Sequence, residues 1–186
     1  MKKYYTIFLI CMLLYLFFPH AAQAKLIKSI GISGGMTLPQ GGWDPGYTVG
    51  AQVNFGEGVK YLFISPYLLY SNTQQSVQIG QMTEDLSIQY ISLGTKFIGF
   101  INSKPRGFYL GGSISYNIIS EFLAEDGQLV DAYTIAKDNT TKVGYGALMG
   151  YLFTLKKFSI FIEANYMLVP GGYNNLQGLL GIDFNL

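Results

Sequence analysis

The chain has 186 residues, nearly half of them apolar and 12% charged, with a formal net charge of +1. So even a balance leaves no basic footprint for nucleic acid, and a single cysteine excludes a disulfide framework. Beyond the N-terminus no apolar run approaches the roughly 18 residues of a helical membrane span; the apolar residues alternate with small and polar ones instead.

The N-terminus stands apart. Lys2 and Lys3 precede an apolar run from Tyr4 to Phe18, and Ala22-Gln23-Ala24 follows with small residues. These are the charged, apolar and cleavage regions of a secretory signal, and the run is shorter than the roughly 20 residues a transmembrane helix requires. Residues 1–24 are expected to be a signal peptide, leaving residues 25–186 as one folded domain. Of the 12 basic residues, Lys2 and Lys3 depart with the signal, so the 162 that remain carry 10 basic against 11 acidic side chains. Cys11 and His20, the only cysteine and the only histidine, depart as well. Cys11 lies inside the apolar run, not directly after the cleavage site, so it is not the lipid-bearing cysteine of a lipoprotein.

Eight segments of the remaining chain alternate with period two, the signature of strands. The first, Leu26 to Met36, sets Ile30 and Ile32 against Ser29, Gly31 and Ser33, and a loop rich in Gly and Pro with Trp43 ends it. Tyr47 to Phe55 alternates most cleanly, with Thr48, Gly50, Gln52 and Asn54 on its polar face. Lys60 to Tyr70 is apolar on both faces and contains Pro66, which cannot donate to a ladder and so requires a bulge or a non-bonded site. Leu86 to Phe97 changes phase, which implies either a bulge near Tyr90 or a membrane boundary there.

Phe108 to Ile118, Val143 to Phe153 and Phe158 to Leu168 return to strict alternation, their second faces being Gly111, Ser113, Ser115 and Asn117, then Gly144, Gly146 and Gly150, then Ser159, Glu163 and Asn165. The last, Leu176 to Leu186, places Leu180, Ile182, Phe184 and Leu186 on one face and Gln177, Leu179, Gly181, Asp183 and Asn185 on the other. So long a greasy face does not suit an edge strand. Pairing it on both sides is simplest if it closes onto the first strand.

The fold class that follows is all-β, an up-and-down antiparallel barrel of eight strands. Its polar face is rich in Gly and Ser and poor in charge, unlike the Lys- and Glu-rich exterior of a soluble lipocalin-like barrel. The apolar face is therefore expected to meet lipid, making the barrel transmembrane. Connections after the second, fourth and sixth strands are short or moderate, whereas Asn72 to Asp85 and Ser120 to Lys142 are long. Short turns face the periplasm in such barrels and long loops face outward. Aromatics near the strand ends, such as Tyr47, Phe55, Phe108 and Phe158, have the placing of interfacial girdles.

Over residues 25–186 this pattern resembles the small eight-stranded outer-membrane proteins typified by OmpX, Ail and the OmpA transmembrane domain. Gly181, Phe184 and Leu186 resemble the C-terminal insertion signal of outer-membrane barrels, with Leu186 in place of the usual terminal aromatic. The resemblance implies residence in the outer membrane of a Gram-negative bacterium, contact with outer-membrane lipid and with the barrel-assembly machinery, and an extracellular protein or surface ligand as partner. It implies no cofactor.

Candidate chemistry is sparse. Lipid A deacylases and palmitoyltransferases of this size need a histidine, and without one every serine lacks an imidazole base. No catalytic, cofactor-binding or metal-ligating residue is assigned, and the chain is not expected to be an enzyme. Gly34-Gly35 and Gly41-Gly42 lack the lysine and helix of a phosphate loop. Trp43 is either a surface contact or a headgroup-level anchor. The connection from Ser120 to Lys142 is acidic without the oxygen spacing of an EF-hand, and Asp126-Gly127 suits the turn of a hairpin that continues above the membrane.

By parity Lys96, Glu163 and Asp183 all point inward, where Lys96 is expected to pair with one or both carboxylates, alongside Asn165, Asn185 or water. Two functions stay open. One is a non-catalytic surface or structural protein acting through its extracellular loops; the other is a small channel or transporter for a small or hydrophobic solute.

Overall fold

The computed structural model describes residues 27–41, 43–59, 62–79, 82–102, 105–124 and 140–186. The expected signal peptide and the expected turn at Asp126 and Gly127 lie outside the described residues. The strands are β1 (Ile27–Pro39), β2 (Gly46–Phe55), β3 (Glu57–Val59), β4 (Leu62–Ile79), β5 (Met82–Phe100), β6 (Gly107–Ala124), β7 (Thr140–Thr154), β8 (Phe158–Leu168) and β9 (Asn175–Asn185). Every pairing is antiparallel, and β9 lies against β1 from Ser29–Asn185 to Pro39–Asn175. The sheet is therefore closed, and because β2 and β3 are parts of one strand interrupted at Gly56, the barrel has eight strands.

That interruption explains the proline. The β2–β4 ladder ends at Gln52–Tyr67 and resumes through β3 at Glu57–Phe63, so residues 53–56 face the shorter stretch 64–66. Pro66, with no N–H to give, sits inside this bulge.

Alternation sets the two faces. Ile32, Val49, Leu93, Ile114, Tyr145, Met149, Ile162 and Leu180 all stand exposed on the outside. Ser29, Thr48, Ser71, Ser92, Ser113, Asn117, Asn165 and Gln177 are buried inside. An apolar exterior around a polar interior reverses the order of a water-soluble barrel and is the arrangement of a transmembrane one. Toward the long-loop end Tyr47 packs beside Tyr70 with the two rings tilted, while Phe108, Tyr151 and Phe153 cluster toward the short-turn end. These are two aromatic girdles.

Two expectations change. Asn72 to Asp85 is not a loop: β4 and β5 run on to a tight hairpin, paired without a break from Leu62–Gly99 to Ile79–Met82. Nor is there a bulge at Tyr90, since the β5 ladders with β4 and β6 keep one register throughout. Ile88, Tyr90, Ser92 and Lys96 all point inward on a single alternation, and Ile91 and Leu93 point outward. The change of phase read in the sequence marks the level at which the outer face stops being apolar.

Ile162 and Leu180 are direct cross-strand neighbours near the middle of β8 and β9. Arginine at either position is expected to cost about 2–4 kcal/mol, against about 0–1 kcal/mol for Phe184→Arg near the strand end. Gln52→Arg meets no lipid and perturbs only the interior. Reversible unfolding in lipid vesicles measures this, and equal tolerance at all four positions would overturn the facing assignment.

Candidate functional site in the barrel interior

β5 brings Lys96 and β8 brings Glu163 from opposite walls, and the two meet with Nζ 2.7 Å from Oε1. Both are almost wholly buried, at 1% and 3% exposure. Lys96 Nζ also donates to Gln52 Oε1 at 3.2 Å, and Gln52 Nε2 donates to Asp183 Oδ1 at 2.9 Å. The Tyr109 hydroxyl donates to Glu163 Oε2 at 3.1 Å. The ammonium lies 5.4 Å from the Tyr67 ring centroid and 5.8 Å from that of Phe161, within cation–π range. One connected chain of polar groups thus spans β6, β8, β5, β2 and β9.

Asn165 and Asn185 are not in that chain. Asn165 donates to Gln177, and Asn185 to the Leu155 carbonyl at the short-turn end. Gln52 and Tyr109 take the places expected of them. Gln52 was legible as inward by parity, and Tyr109, between two outward neighbours, gives the same signal; their height relative to Lys96 depends on strand register, which parity does not supply.

The interior is filled on both sides of this level. Rings occupy the space over inward glycines: a Cβ on Gly94, Gly150 or Gly181 would collide with the outer ring atoms of Tyr67, Tyr109 or Phe161. These glycines make room for aromatics rather than for a channel. Toward the long-loop end come polar layers, with Ser92 donating to Asn117 at 2.6 Å and Thr48 bonded to Ser71 at 2.8 Å. Above them Ile88, Tyr90, Ile119, Met167 and Val169 form an apolar cap. Trp43 is half-buried against that cap with Tyr173, which places it over the interior and not on the outer belt.

The three residues of the C-terminal pattern divide by parity. Gly181 points inward beneath Phe161, while Phe184 and Leu186 stand exposed outside. The Leu186 N–H donates to the Lys28 carbonyl at 2.9 Å.

No protein-family model matches this chain, and no curated protein matches it. Among solved structures it is similar to Neisserial surface protein A, at 14% identity over 86% of this chain and 96% of that one, with a TM-score of 0.58. The fold is that of a small outer-membrane β-barrel. Weaker likenesses, each at 14% identity over 86% of this chain, are to Ail of Yersinia pestis in complex with the heparin analogue sucrose octasulfate (97% of that chain, TM-score 0.48) and to the N-terminal barrel domain of Pseudomonas aeruginosa OprF (98%, TM-score 0.44).

Removing one partner of a buried ion pair leaves the other charged and unpaired, so Lys96→Met is expected to destabilise the barrel by about 3–5 kcal/mol. Combining it with Glu163→Gln should recover part of that loss, a coupling of about 0.5–3 kcal/mol. Urea unfolding of the single and double variants in micelles checks this, and strict additivity would mean that the two charges do not interact.

Proposed function

We propose that this protein is a non-catalytic integral protein of the outer membrane of a Gram-negative bacterium, acting at the cell surface through its long hairpins. On this reading residues 1–24 direct export, the barrel-assembly machinery inserts residues 25–186, and the exposed belt contacts outer-membrane lipid. The short turns then face the periplasm.

The observation that carries the reading is the unequal height of the strands. The β2–β4 ladder ends at Tyr47–Asn72, yet β4, β5 and β6 continue beyond it, paired as far as Ile79–Met82 and Asp85–Ala124. From Thr73 to Ile79 that extension measures roughly 20 Å along the strand. Asp44 N–H donates to the Gln74 carbonyl at 3.2 Å. Among the described residues no strand pairs with β4 above that point, which leaves a backbone edge suited to an added strand from a partner. Meanwhile the apolar cap, the rings over glycine and the Lys96–Glu163 pair obstruct the lumen. That obstruction favours a surface role over the channel or transporter, and the absence of histidine after residue 24 favours a non-enzymatic one.

Trypsin added to intact cells is expected to cut between Ser120 and Lys142 and to spare Lys104, Arg106, Lys156 and Lys157. Cutting at Lys156 or Lys157 in intact cells would invert the orientation. Replacing residues 75–85 by a two-residue turn should leave the barrel folded and abolish surface crosslinks to extracellular protein; retained crosslinks would remove the hairpin from the contact. Steady conductance steps from purified protein in a planar bilayer would favour the pore.

A further inference from the structure

On the short-turn side of the ion pair the barrel is not filled. A cavity of about 300 Å³ opens there, beside Lys28, Thr154 and Asn185. Its apolar wall includes the rings of Phe63, Phe100, Tyr109 and Phe161, and Gln52, Glu163 and Asp183 stand in its polar wall with the smaller Ser29, Asn54, Ser65 and Ser159. The cap and the rings already described close the other direction, so the cavity is a blind cup. Its volume is at the lower end of what small-molecule sites have, and an apolar wall with a few convergent polar groups is their usual lining.

The charges in this cup do not balance. Lys96 Nζ is committed to Glu163 and to Gln52. Asp183 is 5% exposed and is held by the uncharged amides of Gln52 and Asn54, and among the described residues no ammonium or guanidinium pairs with it. Two buried carboxylates therefore share one buried cation. An unpaired charge in such surroundings is costly, and a second cation would relieve that cost. The carboxylate is also tightly seated: Asp183 Oδ1 occupies the space that a Cβ on Gly31 would need. Lys28 does not fill the role. It stands at a bulge between Ile27 and Ser29, exposed at the mouth, with its stem beside Gly56.

We propose that this cup binds a small organic monocation, a primary ammonium on an aromatic or aliphatic body. Asp183 holds the charge, and Phe63, Phe100 and Phe161 flank the body, with cation–π attraction adding to the apolar contact. Lys28 at the mouth disfavours polycations. The site is separate from the hairpins and does not depend on which way the barrel faces.

The test uses purified, folded protein in phosphocholine micelles, with phenethylammonium as the probe and 2-phenylethanol as its neutral counterpart of similar shape. Ring-proton shifts of Phe63 and Phe100 report occupancy by NMR. The ammonium is expected to bind about tenfold or more tightly than the alcohol, equivalent to about 1.4 kcal/mol. Asp183→Asn, which keeps the shape and removes the charge, should bring the two ligands to the same affinity, and Lys28→Met should not weaken the ammonium. Equal affinities for both ligands in the unmodified protein, no shift of either ring, or an unchanged preference in Asp183→Asn would each overturn the proposal. Displacement of phenethylammonium by an equal concentration of potassium would also overturn it, reducing the cup to an inorganic cation site. Should Asp183→Asn not fold, the comparison of the two ligands in the unmodified protein decides alone.

Discussion

In the hydrocarbon of a bilayer no water is present to bond a free N–H or C=O, and each unsatisfied group costs several kcal/mol. A sheet can meet that condition only by having no edge. Here the condition falls on β9, whose two neighbours are β8 and β1, paired along nearly its whole length. Breaking that seam would expose two strand edges to lipid at once. The local interruption of the β2–β4 ladder lies beside Pro66, the one residue of β4 without an N–H.

Closure at eight strands then dictates the interior, since a barrel of this size has room for side chains and little else. The residues of opposite walls must divide that space between them. Glycine on one strand accepts a ring from another, as Gly150 accepts Tyr109 and Gly181 accepts Phe161. Where polar groups face each other they complete one another's hydrogen bonds, as Lys96, Glu163, Gln52 and Asp183 do. A half-satisfied network would be worse than an apolar core, and here Asp183 is held by uncharged amides and not by a cation of its own.

The facing of most barrel strands was legible in the sequence because period-two alternation is a local property, and the inward direction of Lys96, Glu163 and Asp183 followed from it; Lys60 to Tyr70, apolar on both faces, gave no such signal. Which of them touch was not legible. Contact across a barrel depends on the register of strands far apart in the chain, and a shift of two residues keeps the facing while moving a side chain by roughly 7 Å. That is why Gln52 rather than Asn165 or Asn185 bridges Lys96 and Asp183. The hairpin of β4 and β5 was missed for a different reason. Past Asn72 the strand leaves the apolar belt, so SNTQQSVQ carries no strong alternation although its backbone continues the same ladder. Outside the membrane, pairing supplies the order that patterning supplied within it.

A final constraint acts before folding. If residues 1–24 export the chain, as proposed, then no later segment can be apolar enough to be taken for a helical span of about 20 residues. The stretch LFISPYLLY in β4 is apolar on both faces, and it is broken by Ser65 and Pro66. Ser65 donates a short hydrogen bond to Asn54, and Pro66 sits in the bulge that the β2–β3 break provides. The same two residues that interrupt the apolar run are thus accommodated by the neighbouring strand. A wholly apolar interior would pack at least as well as this one by the measure of buried ion pairs elsewhere, but it would fill the second face of each strand with apolar residues and lengthen the runs that export must avoid. The polar lumen, with its buried lysine, is consistent with a chain that has to cross one membrane in order to settle in another.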